Sequence, residues 1–328
     1  MTQHDTCGVC SFEGETETIT IQEKMFGFGD RFDYFRCPNC GCLQIRDTSV
    51  DAARYYPQNY YSFNLSQPQS AWMARLERAR DAYAVRRQGM LGRALLRIKP
   101  HAPLESLHGL GLQRTTRILD VGCGSGDLLQ ALHRLGYTDL TGVDPNIAAD
   151  IVFDGGLRIH KRLLQDLDGS YDVVMFHHSL EHIPDQLGAL QAAARRLAPQ
   201  GQCLVRIPLV GHHAWKAYGL NWAQLDAPRH LFLHTEKSLA LLAARAGFEV
   251  ASTTFDSNEF QFWGSECLQR GLPLVDIGSG KPNPMATAIQ RAGSAGWRRQ
   301  ARQLNARNDG DQAAFVLRRS ARAGAAAA

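Results

Sequence analysis

Four cysteines near the start of the chain are spaced to hold a metal ion. Cys7-Gly-Val-Cys10 and Cys37-Pro-Asn-Cys40 are two C-x-x-C knuckles, and the two-residue gap lets both thiolates of a knuckle face one ion. Four sulfurs complete a tetrahedral Zn²⁺ shell and leave no open position, so the expected role is structural. A redox dithiol fits less well, because neither pair opens a helix after a strand. Cys42 reads as a bystander, and Cys123, Cys203 and Cys267 are scattered. The polar start from Met1 to Cys10 has no apolar signal core, which argues against a secreted disulfide scaffold and for a cytoplasmic protein.

The most specific stretch is Arg117-Ile-Leu-Asp-Val-Gly-Cys-Gly-Ser-Gly-Asp127. An apolar strand runs into Gly122, Gly124 and Gly126, and a helix with Leu128, Leu129, Leu132 and Leu135 follows. Glycines there permit a sharp strand-to-helix turn and close approach of a ligand to the backbone. A dinucleotide site needs G-x-G-x-x-G, but the third position falls on Asp127 or Leu129 in the two registers. The spacing is G-x-G-x-G, preceded by Asp120, an acid that repels pyrophosphate and suits a ligand carrying an ammonium group. Further along, His177, His178, His182 and His230 fall at strand ends, where an imidazole can serve as a base, and Glu181 can orient one of them. Packing and backbone hydrogen bonding compete with that role at each histidine.

With these residues the chain resembles the class I S-adenosylmethionine-dependent methyltransferases, in a branch with an N-terminal zinc ribbon. The resemblance covers Arg117 to Gln261 and returns near the C-terminus. It implies that Asp120 to Gly126 hold the methionine end of the donor and that Asp144, ending Leu140-Thr-Gly-Val-Asp144, meets the ribose hydroxyls. It further implies an acid against the adenine amino group, Asp166 with Asp168 as the alternative register. The implied cofactor-binding set is Asp120, Gly122, Gly124, Gly126, Asp144, Asp166 and His177; the implied catalytic set is His178, Glu181, His182 and His230. Leu180-Glu-His-Ile-Pro-Asp185 matches a common branch of the family beside the methyl-transfer site. Trp222, Leu225, Asp226, Pro228, Arg229 and His230 match a loop that covers substrate, in which Arg229 suits a phosphate or carboxylate.

The elements that must position these groups alternate strand and helix, and the expected fold is α/β: a doubly wound, mostly parallel seven-stranded Rossmann-like sheet with a small zinc ribbon in front. Expected segments are 1–50, the zinc ribbon; 51–114, a linker with the aromatic run Tyr55 to Tyr61 and a basic helix over Ala71 to Lys99; 115–257, the S-adenosylmethionine-binding core; 258–310, a helical insertion; 311–320, a closing strand; and 321–328, a disordered tail. The aromatic run either clamps a ligand or packs the ribbon onto its neighbour, and the basic helix is a solvated face or an anion site.

The 328 residues carry 36 Lys and Arg against 32 Asp and Glu, a net charge of +4, and 44% are hydrophobic. These values exclude a disordered or fibrous chain, and no stretch approaches the roughly 18 apolar residues of a membrane span. The leading functional reading is methyl transfer to a small molecule or glycan precursor, including anionic ones, with structural Zn²⁺. The alternatives are an RNA methyltransferase gripping phosphates with the ribbon and basic helix, and a non-catalytic binding module. The intact Asp120, glycine set and Asp144 argue against the last. His177-His178-Ser179-Leu180 replaces the N/D-P-P-Y/F-like motif of base-amino methyltransferases, which weakens the RNA reading.

Overall fold

A computed structural model describes residues 2–50, 52–55, 70–277 and 280–320. Most of the aromatic run, 56–61, and the 321–328 tail lie outside the described residues. No helix among the described residues is long and apolar enough to cross a membrane.

Strands β1 (Thr2–Thr6), β2 (Glu13–Gln22), β3 (Arg31–Arg36) and β4 (Leu43–Ile45) form an antiparallel sheet. Helices α1 (Ala71–Arg86), α2 (Met90–Ile98) and α3 (Ala102–Glu105) follow. The expected single basic helix is therefore two. Gly89, at φ 96°, and Arg87, at φ 54°, turn the chain back in a left-handed conformation that continues no α-helix. The hairpin closes tightly because a Cβ on Gly92 would lie 2.3 Å from the Ala79 carbonyl oxygen.

The rest of the chain comprises β5 (Ile118–Val121), α4 (Asp127–Arg134), β6 (Leu140–Val143), β7 (Ile151–Val152), β8 (Arg158–His160), β9 (Tyr171–His177), α5 (Gln186–Arg196), β10 (Leu197–Pro208), α6 (His213–Tyr218), β11 (Phe232–Leu233), α7 (Glu236–Arg245), β12 (Phe248–Phe255), α8 (Phe260–Gln269), α9 (Pro284–Asn305) and β13 (Gln312–Arg319). The larger sheet has the order β12-β13-β10-β9-β5-β6-β8-β7, with β5, β6, β8, β9 and β10 parallel and β13 antiparallel to both neighbours. The parallel strands are apolar runs buried on both faces, as helix-covered strands must be. Eight strands replace the expected seven. Gly155 and Gly156, both at positive φ, fold residues 151–152 back as a two-residue antiparallel edge on β8.

The N-terminal sheet is not a detached module. Its last member is β11, which comes from the loop after β10 and pairs with β4, Phe232 opposite Gln44 and Leu233 opposite Leu43. Tyr34 Oη donates to the His230 carbonyl at 2.9 Å, Ile45 N to the Leu231 carbonyl at 2.9 Å and Thr235 Oγ1 to the Cys40 carbonyl at 2.7 Å. One apolar core continues from Val9, Tyr34 and Leu43 through Leu233 to Val205 and Leu239.

Arg229 closes this junction. Its guanidinium, 1% exposed, donates to Asp226 through Nε at 3.0 Å and through Nη2, to the Tyr55 carbonyl at 2.9 Å and to Glu23 Oε1 at 3.4 Å. The Phe26 ring lies 4.5 Å below it. Glu23 in turn accepts the Phe26 and Phe28 amides at 2.9 and 2.8 Å. Arg229→Met keeps volume but strands two buried carboxylates, so chemical denaturation should show a loss of about 3–5 kcal/mol; a cost under about 1 kcal/mol would contradict this arrangement.

Candidate functional site

A cavity of about 1770 Å³ opens at the carboxyl ends of β5, β6, β9 and β10, where open α/β sheets bind ligands. At one end β5 delivers Asp120 and runs into Gly122 and Gly124, at φ 72° and 53°. Gly122 is obligatory there, because a Cβ would stand 2.4 Å from the Ser179 Cβ. Asp144, ending β6, accepts the Gly124 amide at 2.9 Å and the Asn146 amide at 2.8 Å, which fixes the loop on the acid. Asp120 is buried, and its Oδ1 has no hydrogen-bond partner among the described residues. Burial, then the nearby Asp144, pushes its carboxyl well above the usual range. Burial also raises Asp144, against its two amide bonds.

At the other end β9 delivers His177 and His178. His178 sits at φ 50°, an uncommon conformation for a non-glycine residue and one found at functional sites. Its Nδ1 lies 3.2 Å from Glu181 Oε1. Burial opposes ionisation of Glu181, but that hydrogen bond and the fields of His178, His182 and His230 outweigh it and hold the carboxyl at about 2. A carboxylate only accepts, so His178 carries its proton on Nδ1. His182 Nδ1 donates to the Arg229 carbonyl and His230 Nδ1 to the Gln224 carbonyl, each at 2.7 Å. All three rings are thereby fixed as the tautomer whose Nε2 is the basic nitrogen. Burial, then His230, lowers His182 from its ordinary value and favours the neutral ring. His177 has neither ring nitrogen hydrogen-bonded among the described residues; burial and then Arg206 push it well below its usual pKa.

Asp120, Gly122, Gly124, Asp144, His177, His178, His182 and His230 thus share one cleft. Three other expected site residues do not line it. Gly126 caps α4 against Ile159, and Glu181 stands fully buried behind His178. Asp166 faces solvent on a short turn whose Gln165 lines the cleft instead, and Asp168 points to Arg196 at 3.6 Å. Arg229 does not await a substrate anion, since its donors are committed to Asp226, Glu23 and Tyr55. Nor do the loop tryptophans cover the cleft: Trp222 is fully buried, donates to Asp311 Oδ2 at 2.9 Å and packs edge-on against Trp215.

Sequence reasoning missed four wall residues at the histidine end. Met25 comes from the β2–β3 loop and Val50 from the segment after β4, and Phe260 and Trp263 come from α8. The Phe260-Gln-Phe-Trp263 run was a usable signal; the Met25 loop had none. Arg206, on β10 in register with His177, also lines the cleft and is ion-paired to Asp256.

Two groups among the described residues have metal-ligand chemistry. Cys7, Cys10, Cys37 and Cys40 bring their sulfurs within 4.8 Å of one another, with Cys7–Cys40 at 3.6 Å and Cys10–Cys37 at 3.5 Å. Tetrahedral Zn–S bonds of about 2.3 Å require sulfurs about 3.8 Å apart, so the set fits. Gln44 Nε2 at 2.9 Å and the Cys10 amide at 3.4 Å donate to Cys7 Sγ, and Asn39 donates to Cys10 Sγ at 3.4 Å, bonds that favour thiolates. Glu181, His182 and His230 also converge within 4.8 Å.

A family model described as a methyltransferase domain matches residues 83–253, just over half of the chain. The ubiquinone biosynthesis O-methyltransferase of Xanthomonas euvesicatoria pv. vesicatoria (strain 85-10) is 32% identical over 124 residues, 31% of this chain and 51% of that protein. Its Xylella fastidiosa (strain 9a5c) counterpart is 30% identical over 130 residues, 32% and 52% of the two chains. The chain thus spans about half the length of the curated relatives it matches. A solved S-adenosylmethionine-dependent methyltransferase from Mesorhizobium loti is 17% identical, with 68% of this chain and 100% of that one covered at a TM-score of 0.39.

Glu181, ordinarily near 4.5, titrates at about 2 in the fold. Its stabilisation is therefore whole above about pH 4.5 and is lost as pH falls toward 2, a span worth roughly 3 kcal/mol. Glu181→Gln should flatten the acid limb of thermal stability across that window; an unchanged limb would refute the assigned His178–Glu181 hydrogen bond.

Proposed function

Because the chain belongs to the methyltransferase-domain family, we propose that it transfers a methyl group from S-adenosylmethionine to a hydroxyl of a small molecule or sugar precursor held in this cleft. The observation that carries the reading is that one cavity joins the glycine loop and acid pair to the histidine cluster. At about 1770 Å³ it exceeds the roughly 300–1,000 Å³ of a single drug-sized ligand site, which leaves room for donor and acceptor together.

The residues suit the donor. The orphaned Asp120 Oδ1 offers a buried acceptor to an ammonium group, which would supply the counter-charge that the carboxyl lacks. Asp144, already oriented by two amides, has remaining lone pairs for a vicinal diol. Gly122, with no Cβ, lets the loop pack directly against Ser179 beside the acid pair. When bound, the donor supplies an electrophilic methyl on sulfur. His178 takes the acceptor hydroxyl proton at Nε2, and the Glu181 carboxylate stabilises the imidazolium and fixes the ring. His182 and His230 face the same space with their tautomers set. The walls from Met25, Phe260 and Trp263 hold the acceptor in line and away from water. The names of the curated relatives accord with an oxygen acceptor. Cys7, Cys10, Cys37 and Cys40 bind one structural Zn²⁺, which braces the sheet that carries the Met25 wall.

The test supplies a methyl-labelled donor to the protein with separated small-molecule and RNA extracts. Label should enter the small-molecule fraction; label confined to RNA would overturn the reading. His178→Ala should lower kcat by about 10²–10⁴-fold with donor affinity unchanged, whereas Asp144→Ala should weaken donor binding by about 10–100-fold in calorimetry. Freshly purified protein should hold about one zinc per chain, and metal-free protein of full stability would remove the structural ion.

A further inference from the structure

The α1–α2 hairpin carries a surface that the methyl-transfer site does not use. Met90, Ile98, Trp72 and Leu91 are 89%, 69%, 64% and 58% exposed, and Met73 is exposed beside Trp72. On α2 the exposed side is divided lengthwise. Leu91, Ala94 and Ile98 fall at i, i+3 and i+7 along one stripe, with Met90 beside it and Arg93 and Arg97 one turn apart along its flank. The opposite side, with Gly92 and Leu96, packs inward. The Lys99–Glu77 pair at 3.2 Å brings the Ile98 end of α2 alongside the early turns of α1, where Trp72 and Met73 project.

The charge on this hairpin has one sign. Arg75, Arg78, Arg93 and Arg97 are exposed, and none is in an ion pair among the described residues. The hairpin's two acids are both withdrawn: Glu77 is engaged by Lys99, and Asp81 is buried against Arg80. An apolar stripe flanked only by unpaired cations is the pattern of a helix lying in the headgroup plane of an anionic bilayer, with the apolar side chains among the acyl chains and the arginines on lipid phosphates. We propose that the α1–α2 face docks on an anionic lipid surface. The position gives this a use: the chain leaves α2 at Ile98 directly into Lys99, Pro100 and His101, which line the cleft. The cavity mouth would then lie at the membrane, within reach of an acceptor dissolved there. The docking itself is independent of the assigned reaction.

The full chain is sedimented with vesicles of phosphatidylcholine alone and of phosphatidylcholine with phosphatidylglycerol. Binding should appear only with phosphatidylglycerol and should weaken as salt rises. Arg93→Gln with Arg97→Gln should reduce the partition coefficient on the order of thirty-fold, at about 1 kcal/mol per cation. Leu91→Ser with Ile98→Ser should reduce it at least tenfold, while leaving the thermal midpoint near wild type because both residues are exposed. The proposal is overturned if anionic vesicles do not bind the chain, or if binding survives both double variants. It is also overturned if the chain is a dimer in solution that Leu91→Ser with Ile98→Ser disperses, since a second copy then covers the face.

Discussion

A buried guanidinium has to be neutralised and hydrogen-bonded where it lies, and Arg229 satisfies that demand with groups from three separate stretches of chain. Glu23 comes from the N-terminal sheet, the Tyr55 carbonyl from the segment that leaves it, and Asp226 from the loop after β10. None of the three can move without stranding a charge in a low-dielectric interior. The neighbouring backbone inherits this rigidity. His230 follows Arg229 directly, the Arg229 carbonyl receives His182, and Leu231 N donates to the Glu181 carbonyl at 2.9 Å. The imidazole cluster and the junction between the two sheets are thus a single construction.

The cleft has two electrostatic ends. Asp120 and Asp144 are carboxyls that burial makes reluctant to ionise, a state a cationic ligand relieves. At the far end the carboxylate of Glu181 is ionised and surrounded by the imidazoles of His178, His182 and His230. Strain at His178 and the fixed tautomers of His182 and His230 show that this end is organised before any ligand enters.

How much of this was legible in the sequence depended on whether a residue's role is local. The cysteine knuckles and the loop from Asp120 to Gly126 are defined by spacing within a few residues, and the structure assembles both as units. The histidines were legible as a set because His178 and His182 flank Glu181 within five residues. Arg229 was misread because a loop cation is matched to a ligand by its type alone, whereas two of its partners, Tyr55 and Glu23, lie more than 170 residues away. Trp222 was misread for the same reason: its Asp311 acceptor lies 89 residues on. Asp166 stands outside the cleft that its neighbour Gln165 lines, and short 3₁₀ turns give no periodicity from which to set that register. The Met25 wall had no local signal at all, because contacts distant in sequence hold that loop at the cleft: Arg229 on Glu23, and the Leu274 and Val275 amides on the Met25 carbonyl.

Site-resolved amide hydrogen exchange on Arg229→Met, compared with the unaltered chain under native conditions, tests the single-construction account most directly. The account predicts faster exchange at Ile45, Leu231 and the residues 23–28 together, with β5, β6 and β9 still protected. Faster exchange confined to residues 23–28, with Leu231 and Ile45 unchanged, would contradict it.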